Sequence, residues 1–558
     1  MFSSEPPKVS YEIGNGSYGQ IFALEKYPQM VTKRMNWKQD LQGIPYFVLR
    51  EMASIVKLKQ CPQVAQMESY FLTGTIPKDP KDKSPSTGMI NIISKRYKHD
   101  LRVANQMSLY NVKQCLFQVL VALRFAEKHG IVHRDVKLDN IFCENSDKVV
   151  LGDWGLSRKM EANQDGIISG DIQTLWYRSP ELLLGTTDYG TSIDVWSVGC
   201  VMFALIENKN LFESLNNNIG QLFKVFSMLG TPLPGSYLSQ LPHFRAEVFP
   251  NYPLKQIQLT RDTSQNAVKL LNLMLSLDPT DRPSFENCLN HSYFDEVRNN
   301  FQETTTLSPI LKSPTLLSRI TRNPMEKMTR MKTFDWMFCS LNSIYQGIAL
   351  NSGRVCYNAK DLDFANKSTN CKFLDIFFLA CEYFDSVMST AKFDSNLMGA
   401  ACLLTASKML TSHISLNIFE LAYYLNSHHT ARDITTYELV MVHTLKFDLH
   451  KETLFNLVRK LQIEKNLPMC TLSAAIVYLA DNERLSQFED VQKNTAQMIV
   501  DYCSGTINAD FQTDVLLGLF DSVLINRAMH IMGVVKIASD LVFGSLERLT
   551  WHFLFHRQ

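Results

Sequence analysis

His133-Arg134-Asp135-Val136-Lys137-Leu138-Asp139-Asn140, with Asp153-Trp154-Gly155 beginning thirteen residues after Asn140, is the stretch on which the reading of this 558-residue chain turns. A hydroxyl nucleophile needs a carboxylate to orient it and take its proton, and Asp135 suits that task. Asn140 and Asp153 carry hard oxygen donors of the kind Mg²⁺ prefers. Lys137 offers positive charge where negative charge would develop. Upstream, Gly14-Asn15-Gly16-Ser17-Tyr18-Gly19-Gln20-Ile21 holds three glycines that let backbone N–H groups close over a polyphosphate. Alone that segment reads equally well as a turn. Lys33 sits in a short apolar run where a strand would aim it at phosphates, and Glu51 lies on the next helical segment, placed to pair with it. Singly such charges are mostly solvated; the ordered set is the specific signal.

Outward from this stretch, the chain is ordinary in composition. Apolar residues make up 45% and charged residues 20%, so real cores are expected, and the length suggests two to four compact units. A net charge of +1 gives no reason to expect nucleic acid as a direct partner. The twelve cysteines form no Cys-x-x-Cys pair or zinc-like cluster, which fits small apolar core residues in a reduced setting. No secretory signal opens the sequence, and its most apolar stretch, Phe373 to Val387, holds Asp375, Glu382 and Asp385, so no membrane span is expected. Localisation is expected to be intracellular, in nucleus and/or cytoplasm.

Residues 11 to about 93 alternate β-like runs with one helical segment near Val48 to Leu58, and residues 109 to 295 are mainly helical. Residues 298–328, rich in Thr, Ser, Asn and Pro, read as a linker. From Arg330 on, three- and four-residue apolar spacing recurs in about ten helix-length segments. CKFLDIFFLACEYFDSVMS and LMGAACLLTASKML should be central helices of a bundle.

Residues 11–295 resemble a protein kinase, and within that superfamily a cyclin-dependent kinase. The finer likeness rests on Gly43-Ile44-Pro45-Tyr46-Phe47-Val48-Leu49-Arg50-Glu51, on Thr174-Leu175-Trp176-Tyr177-Arg178-Ser179-Pro180-Glu181, and on Gln221-Leu222-Phe223 through Leu229-Gly230-Thr231-Pro232. The resemblance implies a Ser/Thr kinase using ATP and Mg²⁺ on protein substrates with Ser/Thr-Pro sites, in cell-cycle or transcription control. It implies Asp135, Lys137, Lys33, Glu51 and Thr174 as catalytic residues and Asn140 and Asp153 as metal ligands. Gly14, Gly16, Gly19, Ile21, Val31, Lys33, Ser94, Lys95, Tyr97 and Phe142 would surround the nucleotide. Glu181 would pair with Arg282, and Asp194 would brace the catalytic loop. Arg50, Arg134 and Arg158 match the arginines that gather around a phosphorylated activation-loop residue, here Ser169, with Asp171 or another acid as the alternative neutraliser. Ser17 and Tyr18 occupy inhibitory phosphorylation positions. Trp154 replaces the usual Phe, Val31 the usual Ala, and Ser94 a commonly bulky residue, which predicts a pocket shallow in front and open behind. An inactive scaffold that binds regulators is the competing reading, and the intact Lys33, Asp135, Asn140 and Asp153 argue against it.

Residues 330–450 resemble a cyclin box. Arg330, Asp385, Leu397, Lys408 and Glu438 match its hallmark positions, which implies that Lys408 and Glu438 contact the Glu51 helix and that Arg330 pairs with Asp385. The expected organisation is an α+β bilobal kinase, residues 1–297, with N-lobe 1–95 and C-lobe 96–297, then the linker 298–328. An all-α cyclin-like part follows, as a box over 329–450 and a second helical domain over 451–558. A flexible linker of about thirty residues spans roughly 30 Å and gives an effective concentration near the millimolar range, so an intramolecular kinase–cyclin interface in a monomer is expected. Ser84-Pro85, Ser308-Pro309 and Ser313-Pro314 have the form this class prefers, and autophosphorylation is expected there.

Overall fold

Period-two alternation in the first 95 residues builds a sheet. In the computed structural model, which describes residues 7–16, 19–38, 43–74, 87–103, 107–145, 148–160, 175–186, 188–213, 217–301, 393–410, 416–425 and 429–451 with parts of 333–344 and 375–388, β1 (Val9–Gly16), β2 (Gly19–Leu24) and β3 (Met30–Lys38) form a meander. After helix α1 (Tyr46–Lys57), strands β4 (Met67–Gly74) and β5 (Thr87–Lys95) complete an antiparallel sheet in the order β1-β2-β3-β5-β4. The register sets Lys33 opposite Ile21 and Ile92, and Val31 opposite Ala23 and Ser94, so Val31 and Lys33 share one face. Helix α1 starts directly after Pro45, whose missing N–H costs nothing at a helix start, and places Lys57 in its last turn.

The following lobe is mainly helical. It runs through β6 (His99–Asp100), α2 (Leu109–Lys128), β7 (Ile131–Val132), β8 (Ile141–Asn145), β9 (Lys148–Leu151) and β10 (Arg158–Lys159). Beyond these lie α3 (Ser192–Glu207), α4 (Asn218–Leu229) and α5 (Gln265–Met274). Strands β6, β8 and β9 form one small sheet, and β7 pairs with β10. The Ser108 hydroxyl caps α2 by accepting from the Asn111 N–H. Helix α3 is buried on all sides from Ile193 to Ile206, as its continuous apolar sequence requires. Gly199 makes that possible, since a Cβ there would stand 2.9 Å from Leu275 Cδ2.

The chain divides into two compact units. The first comprises Met1–Ser308 together with Lys408–Ser415 and Lys446–His450; the second takes the remainder. The second is helical where it is described, with α6 (Ser395–Leu410) as far as Ser407, α7 (Ile418–Tyr424) and α8 (Ala431–Thr444). The two apolar runs expected to be central are so: Ile376, Ala380, Tyr383 and Val387 are buried, as is α6 from Leu397 to Ala406, Gly399 included. Gly399 lets α6 approach the helical residues Thr333 and Met337, to whose side chains a Cβ would come within 3.0 and 3.1 Å. A capping box between Thr430 and Asp433 starts α8. Residues 452–558, the expected second helical domain, lie outside the described residues, as do Ser84, Ser308 and Ser313. Among the described residues no helix is long and apolar enough to cross a membrane, and Cys61, Cys115, Cys143, Cys200, Cys288 and Cys402 are buried thiols.

One polar pair anchors the helical lobe. Arg282 donates to both Glu181 oxygens, at 2.6 and 2.8 Å, with side-chain exposures of 0% and 1%, and lies 5.0 Å over the Trp196 ring. Removing one partner strands the other charge in the core. Glu181→Ala is therefore expected to lower unfolding stability by about 3–5 kcal/mol, read by chemical denaturation.

Candidate active site

Between sheet and helical lobe the charged residues converge. Lys33 Nζ donates to Glu51 Oε1 and Oε2, both at 2.8 Å, and to Asp153 Oδ1 at 3.1 Å. Burial pulls the Lys33 pKa down, but the charges and hydrogen bonds of Asp153 and Glu51 outweigh it and hold the ammonium above its ordinary value. Burial pushes Glu51 up against the pull of Lys33; at Asp153 the burial penalty is overcome, chiefly by Lys33, and the carboxyl lies below its ordinary value.

The loop after β7 carries the second group. Asp135 Oδ2 accepts from Lys137 Nζ at 2.8 Å and from Asn140 Nδ2 at 2.9 Å, while Asn140 Nδ2 also donates to the Asp135 carbonyl at 2.8 Å. Burial raises the Asp135 pKa, opposed by Lys137. Two residues here are left-handed without being glycine, Arg134 at φ 72° and Asp153 at φ 55°. Such conformations persist only when the surroundings enforce them. Asp194 does so at Arg134: its carboxylate accepts the backbone N–H groups of His133 and Arg134, both at 2.8 Å. His133 Nδ1 accepts the Asp135 N–H at 3.2 Å, so the proton is on Nε2, which donates to the Gly152 carbonyl at 3.0 Å. Burial pushes that imidazole down to about 4, in keeping with a neutral ring.

The donor set fits a hard divalent cation. Both Asn140 Nδ2 contacts are donations, which leaves Oδ1 as its acceptor, and Asp153 brings a second oxygen donor from the opposite side of the loop pair. These two residues would hold the metal.

The residues expected around the nucleotide are placed as follows. Gly14, Gly16 and Gly19 lie in the β1–β2 hairpin, where Gly16 faces Gly19 and Gly14 faces Ile21. A Cβ on Gly19 would come within 2.7 Å of the Arg34 carbonyl, so the close approach of β2 to β3 requires glycine there. Ser17 and Tyr18 lie outside the described residues, as do Ser169, Asp171 and Thr174. Val31 and Ser94 face each other across β3 and β5, and Lys95 pairs with Glu144. Tyr97 and Phe142 stack with ring centres 5.6 Å apart and planes 12° from parallel. Phe142 lies against Gly152, where a Cβ would be 2.4 Å from Cε2. Sequence reading placed Phe142 at the pocket floor but missed that this aromatic requires glycine before Asp153. No linear pattern signals it, because the requirement is a distance between the two residues. Trp154 is fully buried, edge-on to His133 at 4.5 Å, with its N–H donated to the Leu151 carbonyl at 3.3 Å.

The three arginines come together within the first unit. Arg50 Nη2 donates to the Lys408 carbonyl at 2.8 Å and lies 4.8 Å over the Tyr46 ring; Arg158 donates to the Leu410 carbonyl; Arg134 donates to Tyr189 Oη at 2.9 Å. Burial, then the charges of Arg158 and Arg134, push Arg50 down to about 9. The acceptors at Lys408 and Leu410 are carbonyls of the last turn of α6, where the helix dipole is negative. Sequence reading expected the Lys408 and Glu438 side chains to make the polar contacts; at Lys408 it is the main-chain carbonyl that receives Arg50. Glu438 is fully buried and accepts from Thr405 Oγ1 at 3.0 Å. Leu397 is buried and Asp385 lies on a helical stretch, whereas Arg330 lies outside the described residues, and with it the expected pair to Asp385. Phe447 also belongs to the first unit and packs edge-on to Tyr70 at 5.1 Å.

Comparison with known proteins settles the family. The protein kinase domain model matches residues 8–294. The chain belongs to the protein kinase family. In addition, the model of the cyclin N-terminal domain matches residues 370–450 of this kinase. Its relatives over the first half are named as cyclin-dependent and cell-division kinases. A cell division control protein 2 homolog 3 of Trypanosoma brucei brucei is 32% identical over 300 residues, 51% of this chain and 90% of the relative. A cyclin-dependent kinase 2 of Caenorhabditis elegans is 31% identical over 316 residues, 54% and 81% of the two chains. A cyclin-dependent kinase C-2 of rice is 30% identical over 301 residues, 51% of this chain and 58% of the relative. The kinase thus pairs a phosphotransfer domain, which uses ATP and a divalent metal, with a cyclin domain in one chain.

Two outcomes follow from this geometry. Gly152→Ala is expected to cut kcat/KM for ATP at least tenfold by displacing Phe142, and Phe142→Leu in the same chain to restore most of it, read by steady-state kinetics. His450 is held down to about 3 by burial and by Lys159, Lys57 and Arg50, whereas unfolded it takes a proton near 6.5. Its contribution is complete above pH 6.5 and is lost as the pH falls toward 3. Between pH 7 and 5 the kinase should lose about 2 kcal/mol from this group, a loss that His450→Phe removes from the pH profile of unfolding.

Proposed function

We propose that this kinase transfers the γ-phosphoryl group of ATP to serine or threonine followed by proline, and that its own cyclin domain holds it active. The observation that carries the reading is the closed Lys33–Glu51 pair on a helix whose neighbouring Arg50 donates to the Lys408 carbonyl. In kinases of this class the Glu51 helix must be held inward, and whatever binds the inward state better shifts the balance toward it. Residues 408–410 and 446–450, part of the same compact unit as that helix, supply such binding.

ATP with Mg²⁺, the hard cation that the Asn140 and Asp153 oxygens suit, brings the phosphoryl group and neutralises its charge. Lys33 fixes the phosphates from the β3 side. Asp135 orients the substrate hydroxyl and takes its proton as the oxygen bonds to phosphorus and the bond to the ADP oxygen breaks. Lys137, already on Asp135, lies where it also meets the transferred group. The proline preference is supported by the family likeness of residues 174–181, and a role in cell-cycle or transcription control by the names of the relatives.

The decisive assay offers Ser-Pro and Ser-Ala peptides with Mg-ATP to the purified chain without added cyclin. Wild type is expected to phosphorylate the Ser-Pro peptide at least tenfold faster. Asp153→Ala and a chain of residues 1–300 are expected to fall to background while remaining folded by circular dichroism. Equal activity of the truncated chain overturns activation by the cyclin domain, and silence of the folded wild type overturns the assignment of activity.

A further inference from the structure

A buried line of hydroxyls runs from residue 450 to the turn that carries Asp153. His450 Nε2 stands 3.1 Å from Ser54 Oγ on α1, Ser54 Oγ is 2.7 Å from Ser157 Oγ, and Ser157 Oγ is 2.6 Å from the Trp154 carbonyl. Ser54 and Ser157 are fully buried, Trp154 likewise, and His450 is 6% exposed. All four belong to the first compact unit.

Counting protons gives the line a direction. A carbonyl only accepts, so the single proton of Ser157 is committed to Trp154. Ser157 must then accept from Ser54, whose only proton is used in turn. Ser54 must accept from His450, which therefore carries its proton on Nε2. Each group has one arrangement, and each bond polarises the next in the same sense. The segment that presents the ring is tightly turned: Lys446 and Phe447 are consecutive left-handed residues and the Leu449 N–H returns to the Phe447 carbonyl at 2.8 Å.

We propose that His450 is a positioning residue for phosphotransfer: its Nε2–H starts a one-way hydrogen-bond chain through Ser54 and Ser157 that fixes the Trp154 carbonyl and, with it, the Asp153-Trp154-Gly155 turn. The chain spans the Glu51 helix, so one buried line registers helix and turn together. Neither Ser54, Ser157 nor His450 belongs to the motifs that mark the family in this sequence.

The test uses the full chain with His450→Phe, which keeps the ring shape without a donor, His450→Gln, which keeps a donor, Ser157→Ala, and the double His450→Phe/Ser157→Ala. Two readouts are taken, amide hydrogen exchange over residues 154–158 and kcat with KM for peptide. The kinetic readout rests on the proposed phosphotransfer activity; the exchange readout does not. His450→Phe and Ser157→Ala are each expected to speed local exchange and to lower kcat about tenfold, the loss of one buried hydrogen bond, with KM little changed. The double variant should be no worse than either single, and His450→Gln should behave as wild type. Multiplying effects in the double variant, local exchange unchanged by His450→Phe, or faster exchange across the whole chain would each overturn the proposal. If the wild type does not phosphorylate peptide, the activity reading falls and local exchange alone decides this one.

Discussion

The ammonium of Lys33 has to be neutralised where it is buried, and much of the molecule is arranged around that requirement. Two carboxylates meet it, one from a helix and one from the turn after β9. Because a buried unpaired charge costs several kcal/mol, α1 and the Asp153 turn are held to the sheet as a set rather than separately. The helix, however, carries Arg50 one residue before Glu51. Bringing Glu51 in therefore also buries a guanidinium among two others, and that second charge needs acceptors of its own. The Lys408 carbonyl at the end of α6 and the Tyr46 ring receive it, while Arg158 and Arg134 reach the Leu410 carbonyl and the Tyr189 hydroxyl.

Strain is handled in the same economical way. Arg134 and Asp153 occupy left-handed backbone that their side chains disfavour, and each sits beside a buried polar brace. Asp194 takes two consecutive N–H groups at the first. Burial pushes its carboxyl up to about 7, so that site is balanced between desolvation and its backbone donors. Ser157, donating to Trp154, sits just beyond the second.

The spacing of charged residues made the two lobes and the Lys33, Glu51, Asp135, Asn140 and Asp153 group legible, because phosphotransfer demands those side chains in that order. The apolar runs 371–389 and 397–410 likewise announced helices buried on most sides. Other features were not readable. That Gly152 is obliged by Phe142 depends on a distance between neighbouring strands, β9's end and β8, that no linear pattern encodes. Tyr46 over Arg50 is an i, i+4 relation, visible in principle, yet in sequence Tyr46 reads only as one member of the segment Gly43 to Glu51. Ser54 and Ser157 look like ordinary small residues until His450, nearly four hundred positions beyond Ser54, is placed beside them.

The division of the chain has a temporal side. The first compact unit is nearly complete at Ser308, yet its last pieces, Lys408–Ser415 and Lys446–His450, come up to 142 residues later. At the pace of a ribosome, about 5–20 residues per second, that delay is roughly 7–30 s. Throughout it the newborn kinase body exists without the carbonyls that receive Arg50 and Arg158 and without the imidazole beside Ser54. A chaperone or protease that meets the nascent chain in that window meets a kinase whose Glu51 helix has not yet been given its neighbours.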